Sequence, residues 1–312
     1  MLSVMIILSS MLAVSSSCWM VLWVFMEMNT LMMCLLMNSE MNKDKSNSPP
    51  AFLYYLVQCT ASIIFLCVAY SHVNNESLKE YIMLICMLVK MGVWPFHAWY
   101  LKIISMLSMK TNSLKMIMTW QKVIPLLTIP ALSLKSESMC MTMCMVNMAA
   151  SSLSVSSFMS FKSIMGMSSM FNNSWLLITT INTTLMLVFF SVYSMSLLIT
   201  LSYLEKMKTK KSLTQKNLML TTAMGANLSG VPPMIMFSAK VYVLKTMVGM
   251  NLTMAGVYMV LVNCLFSYHY LWGLMNLMST ENKKTQNTSQ TNSVTNALLL
   301  LSSSTLGLLL LF

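Results

Sequence analysis

Long apolar runs separated by short polar clusters dominate this sequence, and most of the runs are about as long as a helix that crosses a bilayer. A crossing needs roughly 20 apolar residues for a hydrocarbon layer of about 30 Å, and the polar clusters cut the chain into about eleven segments on that scale. They run from Met1 to Ser16, Cys18 to Met37, Ala51 to Ser71, Tyr81 to Trp99, Ser113 to Ile129 and Met139 to Met159. Five more follow, from Met165 to Ile181, Thr183 to Tyr203, Leu218 to Met247, Leu252 to Met278 and Asn296 to Phe312. In lipid every backbone N–H and C=O must be satisfied within its own segment or a closed barrel, and uninterrupted runs of this length suit only helices. The predicted fold class is therefore all-α: a polytopic membrane protein of about eleven transmembrane helices. It forms a single membrane domain over residues 1–312, with polar loops near 38–50, 204–217 and 279–295. No basic residue precedes Lys43, so the first run lacks the charged start of a signal or transit segment and is taken as a span.

Composition narrows the function. With 57% hydrophobic and 9% charged residues, the chain is not an ordinary soluble enzyme, where about a quarter of residues are charged. All 19 basic residues are Lys, and the absence of Arg argues against nucleic acid as the partner of the +11 net charge. The 8 Cys residues form no CxxC pair and lie in or beside apolar runs, as small buried hydrophobes do, so neither a metal nor a redox cofactor is expected. Lys is also unevenly distributed. Loops on the N-terminal side would carry Lys43, Lys45, Lys102, Lys110, Lys162, Lys206, Lys208, Lys210, Lys211, Lys216, Lys283 and Lys284, against Lys79, Lys135 and Lys245 opposite. Basic loops stay on the side from which insertion starts, which fixes the expected orientation. The basic loops are solvated connectors suited to anionic headgroups or to a partner protein.

A few ionisable residues fall inside the runs: Glu27, Lys90, Lys122 and Lys240, with Lys115 near an edge. A charge at mid-bilayer costs roughly 2.5 to 3.5 kcal/mol on insertion scales, so such residues persist for function or pairing. Glu27, Lys90 and Lys122 each stand nine residues into their runs, counted from Cys18, Tyr81 and Ser113. At about 1.5 Å per residue that is about 13 to 14 Å, close to the midplane and too deep for a Lys side chain to reach water. Lys115 can reach it. At an effective dielectric of about 20, opposite charges 4 Å apart attract by about 4 kcal/mol, enough for a carboxylate to decide whether a buried Lys keeps its proton.

Prolines mark where two spans should break. Pro95 follows Lys90, and Pro232 and Pro233 precede Lys240, with Gly92 and Gly230 beside them. Interrupted helices within a membrane face protein or a wet cavity, where transporters place ion sites, although a simple packing kink gives the same pattern. His97 lies just past Pro95 and is either a proton relay or a hydrogen-bonded interfacial residue. His72 falls in a loop and His269 in an apolar run. The chain holds no phosphate loop, catalytic triad or metal-ligand spacing, so the remaining chemistry is proton or ion movement.

Five motifs occur in order: Glu27-Met28-Asn29; Tyr55-Leu56-Val57-Gln58; Lys90-x-Gly92-x-x-Pro95-Phe96-His97-x-Trp99; Thr119-Trp120-Gln121-Lys122 with Pro125; and Gly230-Val231-Pro232-Pro233 followed by Lys240. Together they resemble subunit 2 of the mitochondrial NADH:ubiquinone oxidoreductases, respiratory complex I. The resemblance implies an antiporter-like bundle, a proton-translocating role in the membrane arm and no redox cofactor on this chain. It implies partners among the other membrane-arm subunits and inner-membrane lipids, cardiolipin among them, with the N-terminus facing the matrix. In it Glu27 is the charged partner, Lys90 its coupled Lys, Lys122 the central relay and Lys240 the terminal exchange group. Asn172 stands where the resemblance implies a His, and Met234 and Met236 where it implies an aromatic residue and a Gly. The absence of Arg beside 39 Met residues also fits the reassigned codons of a mitochondrial genome. Two other readings of the same residues are a stand-alone cation/proton antiporter, for which one intramembrane Glu is meagre, and a structural scaffold without transport.

Overall fold

The computed structural model describes residues 1–40, 50–71, 75–108, 111–132, 134–157, 160–209, 215–232 and 234–282. The expected span Asn296 to Phe312, the loop at 279–295 beyond residue 282, most of the loop at 38–50, residues 210–214 of the loop at 204–217, His72 and Pro233 lie outside the described residues. The helices are α1 (Leu2–Ser15), α2 (Trp19–Glu40), α3 (Pro50–Tyr70), α4 (Glu76–Met91), α5 (Ala98–Met106), α6 (Asn112–Met118) and α7 (Val123–Thr128). They continue with α8 (Leu134–Ser154), α9 (Phe161–Thr179), α10 (Thr183–Thr209), α11 (Gln215–Ser229), α12 (Ile235–Gly249) and α13 (Thr253–Asn282). Among the described residues 5 helices are long and apolar enough to cross a membrane: Trp19–Glu40, Pro50–Tyr70, Ser138–Ser157, Thr183–Glu205 and Thr253–Leu274.

Polarity is distributed as a lipid solvent requires. Val4, Leu8, Phe52, Ile63, Met195 and Leu261 are exposed, whereas Gln58, Asn147, Asn172 and Thr179 are fully buried. Lipid tails take apolar side chains without cost, while polar atoms need partners inside the protein. The many Ser and Thr residues fit helix interiors because their hydroxyls turn back onto the preceding turn: Ser9 donates to Ile6 O at 2.9 Å, Ser151 to Met148 O at 3.0 Å and Thr200 to Leu197 O at 2.7 Å.

The chain forms two compact units, Met1–Asn147 with Leu176–Thr183, and Met148–Trp175 with Thr184–Phe312. In the first, α1 packs on α2, α2 on α3 and α3 on α4, while α7 packs against α1 and α4. Two contacts set α2 and α3 antiparallel: Cys34 Sγ reaches Ala51 O at 3.6 Å and Cys59 Sγ reaches Glu27 Oε2 at 3.4 Å. In the second unit α11, α12 and α13 pack on one another, and Phe171 of α9 stacks on Phe266 of α13 with ring centroids 3.9 Å apart.

Several boundaries differ from the sequence reading: α10 and α13 run on, and α11 starts, inside the segments expected as loops at 204–217 and 279–295, and two further differences concern the polar interior. The run from Ser113 to Ile129 is not one regular helix: α6 stops at Thr119, a 3₁₀ turn covers Trp120–Lys122, and α7 follows. Pro125 explains part of this, since it has no N–H to give to the preceding turn. Residues 38–40 belong to α2 and not to the loop, because Glu40 has a structural task. Its two carboxylate oxygens accept the N–H groups of Asn112 and Ser113, both at 2.9 Å, and so cap the 7-residue α6.

α4 and α11 end alike. Gly92 (φ +69°) and Gly230 (φ +76°) sit in the left-handed region just past them. Gly92 N–H donates to Val89 O and Val93 N–H to Leu88 O, both at 3.1 Å; Gly230 N–H donates to Asn227 O at 3.1 Å and Val231 N–H to Ala226 O at 3.2 Å. Both are Schellman ends, which require a residue able to take positive φ. A Cβ on Gly92 would come within 2.9 Å of Tyr100 Cβ, and one on Gly230 within 2.8 Å of Lys240 Nζ. Gly92→Ala is therefore expected to cost about 1–2 kcal/mol from backbone conformation alone, with the clash adding to it. The check is the heat-unfolding midpoint in detergent, which should fall relative to the native protein.

Candidate functional site

In the first unit the polar residues gather where α2, α3, the end of α4 and the 3₁₀ turn meet. Glu27, half-buried on α2, is held by Ser62 Oγ, which donates to Oε1, by Cys59 Sγ at 3.4 Å from Oε2, and by Thr30 Oγ1 at 3.5 Å from Oε2. Ser62 and Cys59 lie close in sequence on α3, so one helix face supplies both donors. Lys90, in the last turn of α4, interacts electrostatically with Glu27. Its own backbone carbonyl, left open by the end of α4, accepts Gln58 Nε2 at 3.3 Å. Gln58 Oε1 in turn accepts Gln121 Nε2 at 3.3 Å, which joins α3 to the turn that bears Lys122. Trp99 Nε1 donates to Val89 O at 3.2 Å, and the Lys122 ammonium stands over the Tyr100 ring, 5.6 Å from its centroid. Gln121 Oε1 and both polar side-chain atoms of Asn29 are buried and have no protein partner among the described residues. Buried polar atoms in that state are where ordered water binds.

His97 follows the end of α4 by a few residues. It is half-exposed just before α5, and Nδ1 lies 3.3 Å from the nearby Pro95 carbonyl.

The second unit holds Lys240. Its ammonium donates to Ser229 O at 2.7 Å and to Asn263 Oδ1 at 2.8 Å, and lies over the rings of Phe171 at 5.1 Å and Trp175 at 5.4 Å. Ser229 is the last residue of α11, so a cation sits at the negative end of a helix dipole. Asn172 Nδ2 donates to the neighbouring Leu228 carbonyl at 3.2 Å, and Asn227 Oδ1 accepts the Met236 N–H at 3.3 Å, which ties the two sides of the turn together. Asn172 is thus a clamp on the end of α11. Asn263 and Ser62 escaped the sequence reading; the signal for each was a polar residue inside an apolar run, but a neutral side chain costs less there than a charge and stands out less. Among the described residues no group of three or more His, Cys, Asp and Glu side chains gathers as a metal site would need.

No family profile matches the chain. Among curated proteins, NADH-ubiquinone oxidoreductase chain 2 of Artemia franciscana is 31% identical over 239 residues, covering 74% of this chain and 75% of that protein. This chain belongs to the NADH-ubiquinone oxidoreductase chain 2 family. The motif resemblance drawn from the sequence is thereby borne out. The fold of this chain is also found in chains of larger assemblies. A chain of respiratory complex I from Thermus thermophilus with bound aureothin superposes with a TM-score of 0.76 at 14% identity, over 99% of this chain and 76% of its own length. A chain of the Mrp complex from Dietzia sp. DQ12-45-1b gives a TM-score of 0.70 at 15% identity, over 88% of this chain and 59% of its own length. These two likenesses show that the helical fold of this chain recurs in chains of those complexes.

Gln58 is the joint of the first cluster, donating to one helix end and accepting from the Lys122 turn. Gln58→Leu should cost about 1–3 kcal/mol by leaving the Lys90 carbonyl and Gln121 unpaired. The loss should appear as a lower heat-unfolding midpoint, whereas Thr60→Ala, on the exposed side of the same helix, should change it little.

Proposed function

We propose that this chain moves protons across the mitochondrial inner membrane as a membrane-arm subunit of NADH:ubiquinone oxidoreductase. In this reading it is one membrane domain of about eleven crossings, two of them interrupted at Gly92 and Gly230. The N-terminus faces the matrix, other membrane-arm subunits are its partners, and inner-membrane lipids, cardiolipin included, meet its basic loops. Electron transfer takes place elsewhere in the assembly. The observation that carries the reading is the burial of Lys90, Lys122 and Lys240, which are 3%, 1% and 2% exposed. Three ammonium groups buried in an apolar protein oppose folding and insertion unless their charge is used.

The mechanism starts at Glu27. Its carboxylate is half-buried and hydrogen-bonded, so a charge rearrangement in a neighbouring subunit changes its field at Lys90 without breaking a contact pair. Lys90 then changes its hold on a proton, which passes through water to Lys122 and afterwards to Lys240, the group that releases it on the opposite side. His97 joins only as an accessory relay at the turn after α4. Carrying one charge against 100 mV needs roughly 2.3 kcal/mol. Opposite charges beyond contact, at about 7 Å, still attract by roughly 2.4 kcal/mol at an effective dielectric of about 20, which is of the same size.

Lys122→Met in the assembled enzyme is expected to reduce coupled turnover roughly 100-fold, the lower end of what a positioned proton-transfer group contributes. Protons pumped per electron pair, measured in sealed membranes alongside NADH oxidation, test it; normal values for both would remove Lys122 from the path. Lys90→Met should uncouple the same measurement at its first step.

A further inference from the structure

We infer that Asn263 is a positioning residue for Lys240, a side chain that can bind the Lys in both of its protonation states and so keeps its proton exchangeable. The inference rests on the reading of Lys240 as an exchange group. An ammonium has three donors and no acceptor, so the side-chain atom of Asn263 facing it at 2.8 Å is the carbonyl oxygen. Ser229 O takes a second donor at 2.7 Å, and the faces of Phe171 and Trp175 offer the remaining charge a cation–π surface.

When the proton leaves, the Nζ–H bond breaks, its electron pair stays on nitrogen and the proton passes to water. The amine then has two donors and one lone pair, which needs a donor in turn. Among the groups around Nζ, the Ser229 carbonyl only accepts. Asn263 can do either: rotation of its amide replaces Oδ1 by Nδ2–H at nearly the same place. A carboxylate at this position could only accept and would hold the ammonium by a charge-assisted bond about twice as strong. An alkyl group would leave the buried cation with one oxygen fewer.

Gly230 adds a geometric limit. Its Cα faces the Lys240 side chain so closely that a Cβ would meet Nζ at 2.8 Å and Cδ at 3.0 Å. The Lys head therefore has little room to swing away, and its partner has to adapt instead. Ser229, Asn263, Phe171 and Trp175, which meet the ammonium from α11, α13 and α9, are all neutral. Titratable neighbours on α13 face elsewhere: His269 Nδ1 lies 3.1 Å from Ser152 O, the Tyr270 hydroxyl donates to Met165 Sδ at 3.5 Å, and Cys264 and Tyr268 are exposed.

The test measures proton pumping against pH in the assembled enzyme for Asn263→Asp and Asn263→Leu, with Lys240→Met as reference. Asn263→Asp keeps the shape of Asn but holds the proton, so the acid limb of the profile should move to higher pH by about one unit or more, the size expected from an opposite charge in contact. Asn263→Leu should move it the other way. A side chain needed only for packing would give a mild Asp variant, a damaged Leu variant and no displacement of either limb, and that result would overturn the inference. If the Asp variant does not assemble, the direction of the Leu profile decides. Should Lys240→Met pump normally, the reading of Lys240 itself fails and this inference with it; if Lys240→Met abolishes pumping while both Asn263 profiles match the native one, only the inference fails.

Discussion

A helix that stops inside an apolar protein leaves its last carbonyls without partners, and that constraint organises the polar interior here. Each buried carbonyl left open would cost about 1–3 kcal/mol. At α4 and α11 the Schellman turns at Gly92 and Gly230 satisfy two carbonyls each from the chain's own N–H groups. The carbonyl of the residue two before the glycine then takes an amide from another helix, Gln58 at Lys90 and Asn172 at Leu228. The final carbonyl of α11, at Ser229, takes the Lys240 ammonium. Buried Gln, Asn and Lys side chains thus complete helix ends that the membrane could not complete with water.

The same constraint makes the Lys residues tolerable. The C-terminus of a helix carries roughly half a negative charge, so a cation there is favoured without an ionised partner. Lys240 is bonded to the last carbonyl of α11, whereas Lys90, in the last turn of α4, has the Glu27 carboxylate acting on it as well. A contact ion pair would hold its charge firmly. Partial charges hold it less firmly, and the proton exchange proposed for Lys240 would need that weaker grip.

The segmentation of the fold was legible because apolar runs and polar clusters report lipid exposure directly. α1, α2 and α3 begin and end within a few residues of the runs that foretold them. Less legible was the irregular course from Asn112 to Thr128, since a run of apolar residues with one Pro does not say whether the helix bends, tightens or stops. The site was half legible. Charges inside apolar runs announce themselves by their cost, which singled out Glu27, Lys90, Lys122 and Lys240. Their partners did not, because Ser62 and Asn263 are ordinary residues until the fold brings a charge to them. Asn172 shows the difference well: sequence comparison could mark it only as a departure, and its meaning as a clamp on Leu228 comes from a helix far along the chain.

The two sites hold their Lys residues by different physics. Glu27 has its own donors in Ser62, Cys59 and Thr30 and acts on Lys90 through its field. An interaction that falls off only as the inverse of distance responds smoothly to charge elsewhere, which suits the coupling role proposed for Glu27. Lys240 is held at 2.7 and 2.8 Å by two neutral oxygens. Hydrogen bonds weaken steeply with a few tenths of an ångström or a few tens of degrees, so this site responds to local geometry. The proposed function would use both kinds of control: among the described residues the carboxylate of Glu27 acts on Lys90, while the groups around the Lys240 ammonium are neutral.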